Sequence, residues 1–131
     1  PTQIAIRLLP ELLKSEKGAL VGIGSVAQAR ARSQNTIYAA AKSALEFFFA
    51  GVRHRYSETK LRVQFYRVGY MRTQMTFGQT GAIPYIHPDK MARAIVSKLE
   101  RNLIGTYLPA WWFVIMSIYR TVPWFIFRKM R

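Results

Sequence analysis

The segment from Ala19 to Val68 leaves this chain few choices of fold. Ala19-Leu20-Val21-Gly22-Ile23-Gly24 is apolar without interruption and ends at Ser25, the pattern of a strand covered on both faces. A polar, Arg-rich loop occupies 26–36. A helical pattern runs from about 36 to 57, with small residues first (Ala39, Ala40, Ala41, Ala44) and Phe47, Phe48 and Phe49 after them. Leu61 to Val68 then alternates, Leu-Arg-Val-Gln-Phe-Tyr-Arg-Val, and reads as the next strand. A strand, a long helix and a second strand close as a right-handed crossover between parallel neighbours. The chain is expected to be an α/β protein with a parallel sheet.

The flanks extend that unit. Residues 2–17 form an amphipathic pattern (Ile4, Ile6, Leu8, Leu9, Leu12, Leu13) with Pro10 as an expected kink and Gly18 as its end. Beyond the second strand, 74–86 holds two glycines and a proline without a clean period, which reads as a lid-type loop. His87-Pro88-Asp89 opens a helix expected to reach Arg101, with Met91, Ile95 and Leu99 on one face, and 102–109 would be a last short strand. In open parallel sheets, ligands gather beyond the carboxyl ends of the strands. Ser25 and the Gly69–Thr73 segment both fall at such ends, and Tyr38 opens the helix between them.

Those positions carry chemistry. Tyr38 and Lys42 lie one helical turn apart on a shared face. An ammonium near a phenol favours phenolate, so the tyrosine's pKa, about 10 when unperturbed, is expected to fall toward working pH. Such a phenol can protonate a carbonyl oxygen as hydride reaches the carbon, or take the proton back in the oxidation direction. A serine hydroxyl beside it can hydrogen-bond the same oxygen. The hydride itself must come from a cofactor. Ser43, Tyr56 and Lys60 repeat the spacing of Ser25, Tyr38 and Lys42, but Ser43 and Tyr56 share one helical pattern and would lie roughly 20 Å apart. They cannot meet at one substrate atom.

Ser25, Tyr38 and Lys42 in strand–loop–helix order, followed by Gly69 to Thr73, resemble the short-chain dehydrogenase/reductase family over residues 1 to about 109. The resemblance implies the C-terminal part of a Rossmann-like doubly wound parallel sheet. It implies Tyr38 as general acid/base, Ser25 as the residue that orients the carbonyl, and Lys42 as the pKa tuner that also binds the nicotinamide ribose. The cofactor implied is NAD or NADP, with contacts at Tyr38, Lys42, Gly69, Met71 and Thr73. Where the family has Pro-Gly-x-Val-x-Thr, this chain has Val68-Gly69-Tyr70-Met71-Arg72-Thr73, so glycine and threonine match while proline and valine do not. Gly24 replaces a frequent serine, and Gln28 stands where glycine is common. The family's glycine-rich dinucleotide turn and its relay asparagine have no counterpart here, and Gly22-x-Gly24 lies within a strand and is no substitute. The resemblance therefore implies the C-terminal half of an NAD(P)-dependent oxidoreductase of a carbonyl/alcohol pair, inactive as this portion alone. Family members usually pair through helices corresponding to 2–17 and 38–56, which implies a homo-oligomer.

The remainder, 110–131, is a hydrophobic and basic tail. Ala110 to Tyr119 is apolar, Arg120-Thr121 interrupts, Val122 to Phe127 resumes, and Arg128-Lys129-Met130-Arg131 ends it. A spanning helix wants about 20 uninterrupted apolar residues, which Arg120 and Pro123 deny. Tryptophans beside a basic end suit helices lying in a lipid headgroup region, with burial in a subunit interface or a true span as the other readings. The tail is also similar to that of bacterial reductases acting on polyprenyl-phosphate-linked keto-sugars, so the substrate expected is a small-molecule or lipid-linked carbonyl or alcohol. The net charge of +14 would suit nucleic acid, but no nucleic-acid-binding signature accompanies it; an anionic membrane surface is the partner expected, together with a solubilising surface whose acidic complement lies in further sequence. No cysteine is present, and His54 and His87 stand far apart among polar neighbours, so no metal is expected. The location implied is cytoplasmic and peripheral to a membrane. The alternative function is a non-catalytic membrane-associated or scaffold protein that keeps the fold.

Overall fold

The computed structural model describes residues 1–74, 85–99, 101 and 106–130. Helix α1 (Thr2–Lys14) leads into β1 (Ala19–Ser25), α2 (Thr36–Arg55) and β2 (Arg62–Val68). Helix α3 (Pro88–Val96), β3 (Thr106–Leu108), α4 (Trp112–Thr121) and α5 (Trp124–Phe127) follow. Among the described residues the strands form one parallel sheet in the order β1-β2-β3. The expected strand–helix–strand unit is present with its register set so that Ser25 pairs with Val68, which levels the carboxyl ends of β1 and β2. The α/β class with helices on both faces of a parallel sheet is as the sequence implied.

β2 is central, and its alternation divides two cores. Val63 and Phe65 face α1 and α2, packing with Ala5, Leu9, Leu20, Phe49, Val52 and Leu61. Tyr66 and Val68 face the other way, against Met91 of α3 and Leu108 of β3. Burying side chains of this size contributes about 1.5–3 kcal/mol each. Gln64, on the α3 side, is 1% exposed, yet its amide is satisfied. It donates to the carbonyls of Lys98 (3.0 Å) and Arg101 and accepts from the Tyr66 hydroxyl at 2.8 Å. Gly22 and Gly24 exist for close approach: a Cβ on Gly22 would meet the Phe49 and Phe65 rings at 2.6–2.9 Å. Their role is packing within β1, consistent with the sequence reading that they are no phosphate loop.

Several boundaries differ from the sequence reading. Residues 26–36 are two short 3₁₀ turns, Val26–Ala29 and Ser33–Asn35, rather than open loop. Pro10 lies inside α1, which continues through it. α3 ends at Val96, with a turn over 97–99 in place of further helix. Most of the proposed lid, 75–84, and residues 102–105 of the proposed last strand lie outside the described residues. The tail folds back onto the body: Trp112 and Met116 of α4 are buried against Val26, with Tyr70 and Tyr107 alongside. No described helix is long and apolar enough to cross a membrane.

Candidate active site

The chain leaves β1 through a turn that holds Ser25 at its lip. The Ser25 hydroxyl oxygen accepts from the Ala27 N–H (3.1 Å), and the Ser25 N–H donates to the Gln28 side-chain oxygen (2.8 Å), a reciprocal capping box. With its oxygen accepting from backbone, the hydroxyl keeps its own proton to donate. The Gln28 amide nitrogen in turn donates to Glu46 of α2, and Glu46 is paired with Arg67 of β2. Gln28 also explains Gly24, because a side chain there would collide with the Gln28 oxygen and, at 2.5 Å, with the Phe65 ring. The two departures from the family pattern near the serine are thus one packing unit.

Tyr38 stands in the first turns of α2, 40% exposed. Lys42, one turn on, donates from Nζ to the Ile23 carbonyl at 3.0 Å, and the same ammonium is 5.8 Å from the centre of the Tyr38 ring. On the other strand end, Gly69 donates to the Leu108 carbonyl (2.8 Å) and lies flat beneath Trp112. A Cβ on Gly69 would overlap the indole, within 2.6 Å of its Cδ1, so only glycine fits. Met71 then bridges in parallel to Ile86, with Arg72 donating to the Ile86 carbonyl and Ile86 to that of Tyr70, both at 3.0 Å.

These segments enclose a cavity of about 570 Å³. Of the residues singled out from the sequence, Ser25, Tyr38, Gly69, Met71 and Thr73 all border it. Lys42 does not; it stands behind Tyr38, held against β1. Arg32, Gln34, Asn35 and Tyr70 also line the wall, and the sequence reading had not picked them out. The first three belong to the loop marked only as polar and Arg-rich, where no spacing distinguishes one residue from the next. The rival set does not assemble: Tyr56 packs beside the α1–α2 core and Lys60 pairs with Glu16.

Residues 2–81 match the family model for short chain dehydrogenase, a span containing Ser25, Tyr38, Lys42, Gly69 and Thr73. The chain belongs to the short chain dehydrogenase family. An uncharacterised oxidoreductase of Mycobacterium tuberculosis is 30% identical over 114 residues, which is 87% of this chain and 46% of that protein. A short chain dehydrogenase structure from Salmonella enterica serovar Typhi superposes with a TM-score of 0.67 at 26% identity, over 76% of this chain and 44% of that one. A short-chain dehydrogenase from Sphingobium yanoikuyae in complex with NADPH has a TM-score of 0.70 at 23% identity, over 99% of this chain and 52% of that one, and shows the fold. The chain thus spans about half the length of the family members it matches.

Proposed function

We propose that the protein containing this chain is an NAD(P)-dependent oxidoreductase that interconverts a carbonyl and a secondary alcohol. The observation that carries this reading is the convergence of Ser25 and Tyr38 on one cavity, with Lys42 fastened one turn along α2. Gly69, Met71 and Thr73, which border the same cavity as Tyr38, would hold the nicotinamide end of NAD or NADP. When bound, the cofactor supplies or accepts the hydride. The Ser25 O–H donates to the substrate's carbonyl oxygen and fixes its position. The Tyr38 phenol gives that oxygen its proton as the carbon is reduced, and reclaims it in the reverse direction. The Lys42 ammonium, 5.8 Å from the Tyr38 ring centre, stabilises the negative charge the phenol acquires, and would bind the nicotinamide ribose.

Replacing Tyr38 with Phe removes the proton donor and little else, because the ring is already partly in solvent. Nicotinamide oxidation by the intact protein with a carbonyl substrate should fall by about 10²–10⁴-fold while far-UV circular dichroism stays unchanged. Turnover at the parent rate would remove Tyr38 as the acid.

The tail supports an attachment to an anionic membrane surface. α4 and α5 leave Phe113 (62% exposed), Ile118 (64%), Trp124 (68%) and Phe125 (63%) facing outward beside Arg120, Arg128 and Lys129. Apolar side chains at headgroup depth and basic residues worth about 1 kcal/mol apiece act together there. The intact protein should sediment with phosphatidylglycerol vesicles and not with neutral phosphatidylcholine ones, and Phe113→Ser/Phe125→Ser should release it. Retention by the double variant would point away from these helices.

A further inference from the structure

Beside the main cavity lies a second, narrower one of about 160 Å³ between the Ser25 turn and α4. Its walls are mostly apolar, from Val26, Trp112, Ile115 and Met116, with Tyr119 beside them. Ala27, Arg32 and Tyr70 border both spaces, so the slot lies directly against the chamber that holds Ser25 and Tyr38. Arg30 also lines it, but its guanidinium is committed elsewhere. That group donates to the carbonyls of Tyr119 (3.1 Å) and Val122 at the end of α4 and stacks 3.8 Å from the centre of the Phe127 ring. What Arg30 offers the slot is therefore its aliphatic stem.

We propose that the slot is a specificity subsite for an apolar substituent on the carbonyl carbon. The substrate class is a ketone or secondary alcohol carrying an alkyl or aryl arm of about six carbons, since a cavity near 150 Å³ has room for a benzene ring. This rests on the reading of Ser25 and Tyr38 as the pair that handles the carbonyl. With the oxygen held by those two residues, one substituent faces the shared Ala27–Tyr70 border and continues between the turn and α4. The geometry also gives α4 a purpose in the site: its inner face, Trp112 and Met116, is fixed by the body, while Ile115, 39% exposed, closes the outer side of the slot.

The test uses the intact protein and 2-alkanones from 2-butanone to 2-decanone with NADPH or NADH. The matching 2-alkanols are titrated by calorimetry as a readout independent of turnover. Each added methylene should raise kcat/KM, and tighten alcohol binding, by roughly three- to fourfold until about 2-octanone, and not beyond. Ile115→Trp fills the slot from its exposed side, without disturbing the core, and should flatten the series, so that 2-octanone loses its advantage over 2-butanone. Met116→Ala lengthens the slot and should move the plateau to longer chains. Turnover without chain-length dependence, or a dependence unchanged in Ile115→Trp, overturns the subsite and leaves the oxidoreductase reading standing. Chain-dependent alcohol binding that Ile115→Trp abolishes, with no ketone reduced, keeps the subsite and overturns the reaction. Neither turnover nor binding overturns both.

Discussion

Glu46 sits where α2, the Ser25 turn and the central strand meet, and its removal should be felt by all of them. Its carboxylate accepts from the Gln28 amide and from Arg67 through Nε, at 3.1 Å, and Nη2. Both members of the ion pair keep 24% of their side-chain exposure. An exposed pair contributes about 0.2–1 kcal/mol, whereas deleting one partner of a fully buried pair costs about 3–5 kcal/mol. With most of each side chain out of water, Glu46→Ala should cost about 2–3 kcal/mol. The loss has two parts: an Arg67 guanidinium left half-buried beside Tyr107, and a Gln28 amide whose grip on the Ser25 N–H loosens. Glu46→Leu/Arg67→Met strands no charge and should cost less than Glu46→Ala alone. Urea unfolding followed by circular dichroism at 222 nm gives both values by linear extrapolation. A cost for Glu46→Ala below about 0.5 kcal/mol would refute the reasoning, as would a double variant as destabilised as the sum of the singles.

Two further outcomes follow from single contacts. Gly69→Ala forces a methyl into the indole of Trp112, which is 2% exposed and has nowhere to go, so it should cost about 1–3 kcal/mol in the same urea assay. An unchanged midpoint would mean that α4 does not press on the site. Tyr66 is 1% exposed, and burial raises its pKa above the usual value of 10.0. The folded state therefore holds the phenol proton to higher pH than the unfolded state does. This group leaves stability independent of pH below about pH 10 and erodes it as pH climbs from there through the raised pKa. Tyr66→Phe should be less stable at neutral pH by about 1 kcal/mol, through the lost bond to Gln64, and should lack that alkaline slope. A variant with the parent's slope above pH 10 would assign the titration to another group.

What the sequence made legible was whatever rests on local pattern. The apolar run of β1, the alternation of β2 and the length of α2 between them required a parallel pair, while the register that puts Ser25 opposite Val68 is given by the structure. The i, i+4 relation of Tyr38 and Lys42 needed only helix geometry. Contacts between residues distant in the chain were not legible. Gln28 looked like a departure from a family pattern until its side chain was seen over Gly24 and against Glu46, 18 positions away. Gln64 and Arg67 carry no signal in the sequence beyond their places in the alternation of β2. Because β2 is central, both faces are covered, and each polar group is met instead by a partner: the α3 end for Gln64, Glu46 for Arg67. Arg32, Gln34 and Asn35 carried no periodic signal, since a loop that folds over a cavity has no period to show.

The tail illustrates the same limit with a larger consequence. Read as a string, 110–131 is an appendage whose tryptophans and basic end address a surface. In the fold it has two sides with different work. Phe113, Ile118, Trp124 and Phe125 face outward, while Trp112 roofs Gly69 and Met116 packs on Val26, one residue from Ser25. Arg30, five residues past the strand end, grips the last carbonyls of α4 and the ring of Phe127. The turn that presents Ser25 is therefore held from behind by Gln28 and Glu46 and from in front by the tail. In α4 the face opposite that exposed apolar surface is the one packed on Gly69 and Val26, at the two strand ends that border the cavity.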